Sequence, residues 1–219
     1  MIRRAKESGV PVISIANEIE DFYYVGINNE KAMRMMIEHL YEKHGCKKYW
    51  FVMGPEDNYE NVKRIAALRA YMDEKQLTYS ESDFYCESFE YQCGVNGFEK
   101  LLETHDKGRL PQAIICGNDD LAAQAILALS ENRKAGKVYV LGQDGDLSAC
   151  QRIVEGTQGG TVFKNVDELA KEAATMCVKL AKGEEISGIT KRFDGTNQVD
   201  SYFLTPVFVD KKNLNQIII

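Results

Sequence analysis

The sequence predicts an α/β protein, a three-layer sandwich in which helices cover both faces of a mostly parallel β-sheet. Short runs rich in β-branched and aromatic residues alternate with segments that repeat apolar residues at helical spacing, from one end of the chain to the other. Hydrophobic residues make up 44% of the 219 residues, which is enough for one good core. A β-α-β-α rhythm of this kind is typical of sheets whose strands run in parallel.

The predicted elements follow from the position of each apolar run. Strands are expected over residues 11–15, 23–27, 48–53, 83–89, 112–116, 138–141 and 161–163. Helices are expected from an Asn28 or Asn29 cap to residue 41, and over residues 62–72, 95–102, 121–129, 147–154 and 166–181. Gly142 is expected to stop its strand, and Gly183 to close the last helix. The polar stretch 183–200 is predicted as the longest loop, with room for one short strand.

Composition excludes several classes of partner. The net charge of -6 argues against direct nucleic-acid binding, because phosphate contacts need a basic surface. The sequence contains no run of about 18 apolar residues, so no membrane insertion is expected. The N-terminal residues carry positive charge, but no apolar stretch follows them, so the sequence does not predict a signal peptide there.

The six cysteines are expected to be buried free thiols. They form no C-x-x-C pair and have no histidine at zinc-ligand spacing, so neither a metal site nor a cofactor is predicted. Cys116 and Cys177 both lie in apolar runs, which favours burial. Free thiols favour a reducing compartment and hence the cytoplasm, although a cell-surface or periplasmic location stays open.

Polar residues gather where predicted strands end, which is where ligands bind in parallel sheets. Asn118, Asp144 and Lys164 offer an amide, a carboxylate and an ammonium group, the combination that sugar hydroxyls need as donors and acceptors. Phe89 or Tyr91, which both follow the predicted 83–89 strand region, would add a ring to cover a C–H face of the sugar, and Arg64 lies on a predicted helix.

Each of these residues also has a purely structural interpretation. Asn118 or Asp119 suits a helix N-cap, Asp144 belongs to what could be an ordinary turn, and Phe89 suits the core. Arg64 and Lys164 are compatible with solvated surface side chains. No catalytic residue is assigned, because the three histidines do not lie at predicted strand ends.

A rival interpretation is an enzyme of the phosphatase type that depends on magnesium. Asp144 and Asp146 resemble a metal-bound acidic pair, or the D-x-D nucleophile motif of such an enzyme. The nucleophile of such folds follows their first strand, whereas Asp144 follows a late one. Asp119-Asp120, Asp144 and Lys164 together resemble the acidic and lysine residues of a phosphorylation receiver domain, but each separation is too short by a whole β-α unit.

Specific segments resemble a known family. Residues 138–147, 151–158, 161–164 and 203–209 resemble bacterial D-xylose-binding proteins, and this resemblance covers about residues 112–212. Residues 25–33 and 44–48, with Asn61-x-x-Arg64, are similar to the effector domains of lactose-repressor-type regulators. Both groups share the type I periplasmic-binding-protein fold, in which two lobes joined by a hinge close on a ligand.

The resemblance carries over to individual residues. It implies that Asn118 and Asp144 bond sugar hydroxyls, that Lys164 and Arg64 donate to the sugar, and that Phe89 stacks on it. The function it implies is a sensor module that binds a pentose such as xylose and couples binding to signalling or transcription control. The alternative is an extracytoplasmic binding protein that serves a transporter or a membrane sensor kinase.

The resemblance also divides the chain and implies a truncated first lobe. Residues 1–21 correspond to a remnant of that lobe and the hinge, residues 22–205 to the second lobe, and residues 206–219 to a hinge strand and tail. Where the family carries an acid-arginine pair that grips the ligand, this chain has Ala16 and Asn17. The expected partners are a small sugar and either a second copy of the chain, joined through its N-terminal segment, or a signalling domain.

Overall fold

The computed structural model describes residues 2–17, 19, 21–105, 110–193 and 198–217. The chain forms two compact units, one of residues 1–28 with 165–205 and a larger one of residues 29–164 with 206–219. The strands are β1 (Ile13–Ile15), β2 (Tyr23–Ile27), β3 (Tyr49–Met53), β4 (Phe84–Cys86), β5 (Ala113–Cys116), β6 (Tyr139–Asp144), β7 (Gly160–Phe163), β8 (Thr190–Phe193), β9 (Gln198–Leu204) and β10 (Val207–Val209). The α-helices are α1 (Ile2–Glu7), α2 (Asn29–Glu38), α3 (Tyr59–Glu74), α4 (Tyr91–Thr104), α5 (Asp119–Glu131), α6 (Leu147–Glu155) and α7 (Val166–Lys182).

The larger unit is built on a six-stranded sheet in the order β10-β7-β6-β5-β3-β4. All neighbouring strands are parallel except β10, which runs antiparallel to β7. Every residue of β3 is buried, as expected of a central strand with both faces covered. Because β3, β5, β6 and β7 point the same way, the residues that follow them meet at one edge of the sheet.

The smaller unit contains a four-stranded sheet in the order β1-β2-β9-β8. The β1-β2 and β2-β9 pairs are parallel, and β8-β9 is antiparallel. Helix α7 packs on β1 and β2 through Ala173 and Met176, which bury Val25. Strand β1 lies at one end of this sheet, and its Ile15 is 47% exposed. Self-association through this segment stays a prediction.

The predicted fold class is confirmed, with helices and mostly parallel strands in alternation. Two element assignments were wrong. Strand β6 continues through Gly142 to Asp144, because Gly142 pairs with Thr161 of β7. The stretch over residues 183–200, predicted as a loop with room for one short strand, contains β8 and also the start of β9, whose antiparallel pairing satisfies the backbone of these polar segments.

Two further details depart from the sequence-based expectations. The helix expected to run to residue 41 is α-helical only to Glu38, and His39–Lys43 forms a π-helical turn. The six cysteines are free thiols, but only Cys46, Cys93 and Cys116 are buried, whereas Cys86 and Cys150 are half-buried and Cys177 is exposed. Helix α7 buries Met176, and one residue further along a helix the side chain points about 100° away.

The predicted division at residues 21 and 205 follows the lobes of the resembling family and stays a prediction. In the structure, residues 165–205 associate with the N-terminal strands in the smaller unit. No helix in the described part of the chain has the length and apolar character needed to cross a membrane.

Candidate functional site

Asn118 joins the end of β5 to the loop that follows β4. Its Oδ1 accepts a hydrogen bond from Leu121 N at 2.8 Å, so Asn118 is the N-cap of α5. Its Nδ2 donates to the Phe89 carbonyl oxygen at 3.2 Å. The interpretation of Asn118 as a helix N-cap is therefore correct. The hydrogen bond to Phe89 holds the half-buried amide at the sheet edge.

Asp144 and Lys164 form an ion pair at the ends of β6 and β7. Asp144 Oδ1 lies 2.6 Å from Lys164 Nζ, and Lys164 N donates to the Asp144 carbonyl oxygen at 3.0 Å. The two side chains are 30% and 25% exposed, so water and small ligands reach the pair. Asp144 has a φ of 128°, an unfavourable backbone conformation for a residue with a side chain. Lys164 is thus not a freely solvated surface lysine.

Gln143 connects this ion pair to Arg64. With the amide oriented so that its oxygen faces the two cations, that oxygen lies 3.1 Å from Lys164 Nζ and 3.1 Å from Arg64 Nη2. The Gln143 residue is fully buried. Sequence reasoning missed it, although a glutamine inside an apolar strand is itself a signal, because a buried amide needs partners.

Arg64 is 3% exposed and is held by partners from three elements. Its Nε donates to Asn29 Oδ1 at 2.9 Å, its Nη1 to the Gly117 carbonyl oxygen at 3.2 Å, and its Nη2 to Glu60 Oε2 at 2.9 Å. The interpretation of Arg64 as a residue facing water is therefore wrong. The guanidinium group ties the start of α2 and the start of α3 to the end of β5.

Phe89 places its ring over the backbone where β3 and β5 end. A Cβ added to Gly54 would lie 2.2 Å from the ring, and one added to Gly117 would lie 3.1 Å from it. The Arg64 guanidinium carbon is 5.4 Å from the ring centroid, within cation–π range. Phe89 is half-buried, so part of its surface stays accessible beside the polar groups.

The structure thus brings all five predicted residues to one edge of the larger unit. The edge offers a carboxylate, an ammonium group, amides and an aromatic surface, which together suit a polyhydroxyl ligand. Partial desolvation of its carboxyl group raises the pKa of Asp146, and the nearby Asp144 and Asp120 carboxylates raise it further. Even so, the described residues contain no group of three His, Cys, Asp or Glu side chains placed to hold a metal ion.

The fold and this edge define a class of protein, an α/β domain that binds small polar ligands beyond the carboxyl ends of parallel strands. The sequence profile of the periplasmic binding protein domain matches residues 1–185. The chain therefore belongs to the periplasmic binding protein family, as its sequence segments predicted.

Comparison with individual proteins agrees with this assignment. The chain is 31% identical over 225 residues to the D-xylose-binding periplasmic protein of Haemophilus influenzae, a match that covers 100% of the chain and 67% of that protein. A carbohydrate transporter solute-binding protein from Chloroflexus aurantiacus, solved with D-glucose, superposes with a TM-score of 0.85 at 20% identity, over 99% of the chain and 73% of that one. A LacI-family regulatory protein from Chloroflexus aggregans superposes with a TM-score of 0.79 at 19% identity, over 94% and 69%.

These similarities confirm the predicted resemblance to both xylose-binding proteins and lactose-repressor-type regulators. The two solved structures show the shared fold. The Haemophilus protein is periplasmic, so the comparisons give no support to the cytoplasmic location favoured by the free cysteines.

Proposed function

We propose that this chain is a sugar-binding module that takes a pentose such as D-xylose at the polar edge of its larger unit. The observation that carries the proposal is the connected network of Asp144, Lys164, Gln143 and Arg64. The name of the Haemophilus relative, which matches over the whole chain, supports xylose as the ligand.

The chemistry of the edge fits a sugar hydroxyl group in each of its roles. A hydroxyl donates a hydrogen bond to the Asp144 carboxylate and accepts one from the Lys164 ammonium group, so the half-buried ion pair satisfies both needs at once. Phe89 presents apolar surface next to these groups, which suits the C–H face of a sugar ring. The proposal is reversible binding without a catalytic step.

The cellular location that we propose for the module rests on its relatives rather than on its cysteine content. We propose a binding protein outside the cytoplasm that delivers its sugar to a transport or sensing system. Coupling to transcription is the second candidate, favoured by the likeness of residues 25–33 and 44–48 to regulator effector domains.

The test is calorimetry and NMR titration of the chain with D-xylose, with D-glucose and myo-inositol for comparison. Asp144→Ala should weaken xylose binding about tenfold or more, because losing one partner of a buried hydrogen bond costs roughly 1–3 kcal/mol. The matched control is Asp146→Ala, which removes the same charge from an exposed residue two positions away.

Three results would decide against the proposal. These are the absence of xylose binding at millimolar sugar, an unchanged affinity in folded Asp144→Ala, or an equal loss in Asp146→Ala. Tighter binding of D-glucose than of D-xylose would retain the sugar-binding module and reject the pentose.

A further inference from the structure

Asp119, the first residue of α5, is a fully buried carboxylate whose neighbours are neutral donors. None of the ion pairs between described residues includes it. Burial raises the pKa of Asp119, and hydrogen bonds from Gln158, Thr161 and Gly145 oppose that rise. A buried carboxylate costs several kcal/mol without compensation, so these donors have to be placed accurately.

One oxygen of this carboxylate is directed at the turn that carries Asp144. Asp119 Oδ2 accepts from Gly145 N at 2.8 Å and from Asp146 N at 3.2 Å. It also accepts from Thr161 Oγ1 at 2.9 Å, and that hydroxyl oxygen lies 3.2 Å from Gly145 N. Two successive backbone N–H groups of the turn are therefore fixed by one buried oxygen.

The other oxygen faces away from the turn. Asp119 Oδ1 accepts from Gln158 Nε2 at 2.8 Å, and Gln158 Oε1 accepts from Arg152 Nε at 2.9 Å. A Cβ added to Gly142 would lie 2.1 Å from Asp119 Oδ1, so the strand accommodates the carboxylate only because residue 142 is glycine. Asp119 Oδ2 therefore holds the turn, whereas Asp119 Oδ1 packs against Gly142 and binds Gln158.

The turn needs such support because two consecutive residues have positive φ. Asp144 has a φ of 128° and Gly145 a φ of 81°. Glycine adopts this conformation freely, whereas a residue with a side chain is strained there. Such strain persists only where surrounding contacts determine the conformation, and the hydrogen bonds to Asp119 Oδ2 are those contacts.

We infer that Asp119 is a positioning residue for sugar recognition, which holds the strained turn so that Asp144 faces the ligand. The inference rests on the proposed function only in taking Asp144 as a ligand group. Asp119 acts through Gly145 and Asp146, and its own side chain is turned away from solvent.

The experiment measures the turn without sugar and then the affinity with it. In Asp119→Asn the side chain keeps its shape but loses its charge, and the amide oxygen that remains is a weaker acceptor for the two turn N–H groups than a carboxylate oxygen. Amide hydrogen exchange of Gly145 and Asp146 should become at least about tenfold faster, and D-xylose affinity should fall about tenfold or more. Thr161→Val removes the hydroxyl that donates to Asp119 Oδ2, so it should also speed exchange and weaken xylose binding. Thr161→Ser keeps that hydroxyl, so exchange and affinity should stay at the values of the parent chain.

Gln158→Leu is the control, because it removes the partner of Oδ1 and leaves the contacts of Oδ2 in place. It should lower thermal stability while exchange at Gly145 and Asp146 stays slow. Equal effects of Gln158→Leu and Asp119→Asn on the turn would overturn the inference, as would unchanged exchange in a folded Asp119→Asn. If the parent chain binds no xylose, the proposed function fails, while the exchange measurement still decides whether Asp119 holds the turn. Should Asp119→Asn not fold, the two Thr161 variants decide in its place.

Discussion

Replacing Arg64 with methionine tests whether the polar edge is held by a buried cation. The change keeps a side chain of similar length and removes the guanidinium group. Four acceptors lose a donor, namely Asn29 Oδ1, the Gly117 carbonyl oxygen, Glu60 Oε2 and the Gln143 amide oxygen.

The size of the effect follows from burial. The side chains of Arg64 and Glu60 are 3% and 11% exposed, so Glu60 would remain as a buried carboxylate without this partner. Removing one member of a buried ion pair costs about 3–5 kcal/mol. We expect Arg64→Met to lower the free energy of unfolding by that amount in urea denaturation. Adding Glu60→Gln should recover part of the loss, because a neutral amide is cheaper to bury than a carboxylate.

The matched control is Arg34→Met on the surface of α2. Arg34 Nη1 lies 2.8 Å from Glu74 Oε2, but the two side chains are 43% and 46% exposed. Exposed pairs contribute about 1 kcal/mol or less, so this variant should change stability little. The reasoning would be refuted if Arg64→Met and Arg34→Met cost the same.

Two further predictions concern the thiols and the pH dependence of stability. Titration of the unfolded chain without reductant should detect six free thiols. In the native state Cys177 should react first and the fully buried Cys116 last. A disulfide found by peptide mapping with mass spectrometry would contradict this prediction. Burial, and after it the proximity of His44, lower the pKa of His39 below its usual value of 6.5. The unfolded chain therefore binds the proton more readily, and stability should fall as pH drops below 6.5. Urea denaturation at about pH 7.5 and 5.5 should show a smaller loss in His39→Gln, and an equal loss in that variant would reject the cause.

Most of the fold could be predicted because apolar periodicity reports burial directly. The run over residues 48–53 predicted a buried strand, and all five residues of β3 are buried. The stretch over residues 183–200 was misjudged because its strands carry polar side chains. Lys191 of β8 and Asp200 of β9 are paired residues whose charged groups lie 3.5 Å apart, so their polarity reflects a cross-strand contact rather than a loop.

The five ligand candidates could be selected from the sequence, but their burial and their hydrogen-bond partners could not be predicted from it. Asn118, Asp144 and Lys164 each follow a predicted strand, and the parallel topology alone places them at one edge. Arg64 gave no sign of burial, because its partners Asn29 and Gly117 lie 35 and 53 residues away in the chain. Contacts over such separations depend on the tertiary fold and leave no local pattern.

Asp119 and Gln143 are buried polar residues whose contacts the local sequence does not reveal. Acidic residues in the first turn of a helix are common for electrostatic reasons, so Asp119 reads as an ordinary partner of the helix dipole. Gln143 reads as the polar end of a strand. Yet Gln143 directly follows Gly142 in a buried strand, and Asp119 lies three residues beyond the end of the buried strand β5, and at both positions a polar side chain is stable only with partners. At the edge of a parallel sheet those partners are the ligand groups themselves or the turn that carries them, so a polar residue predicted to be buried there is itself evidence for the site.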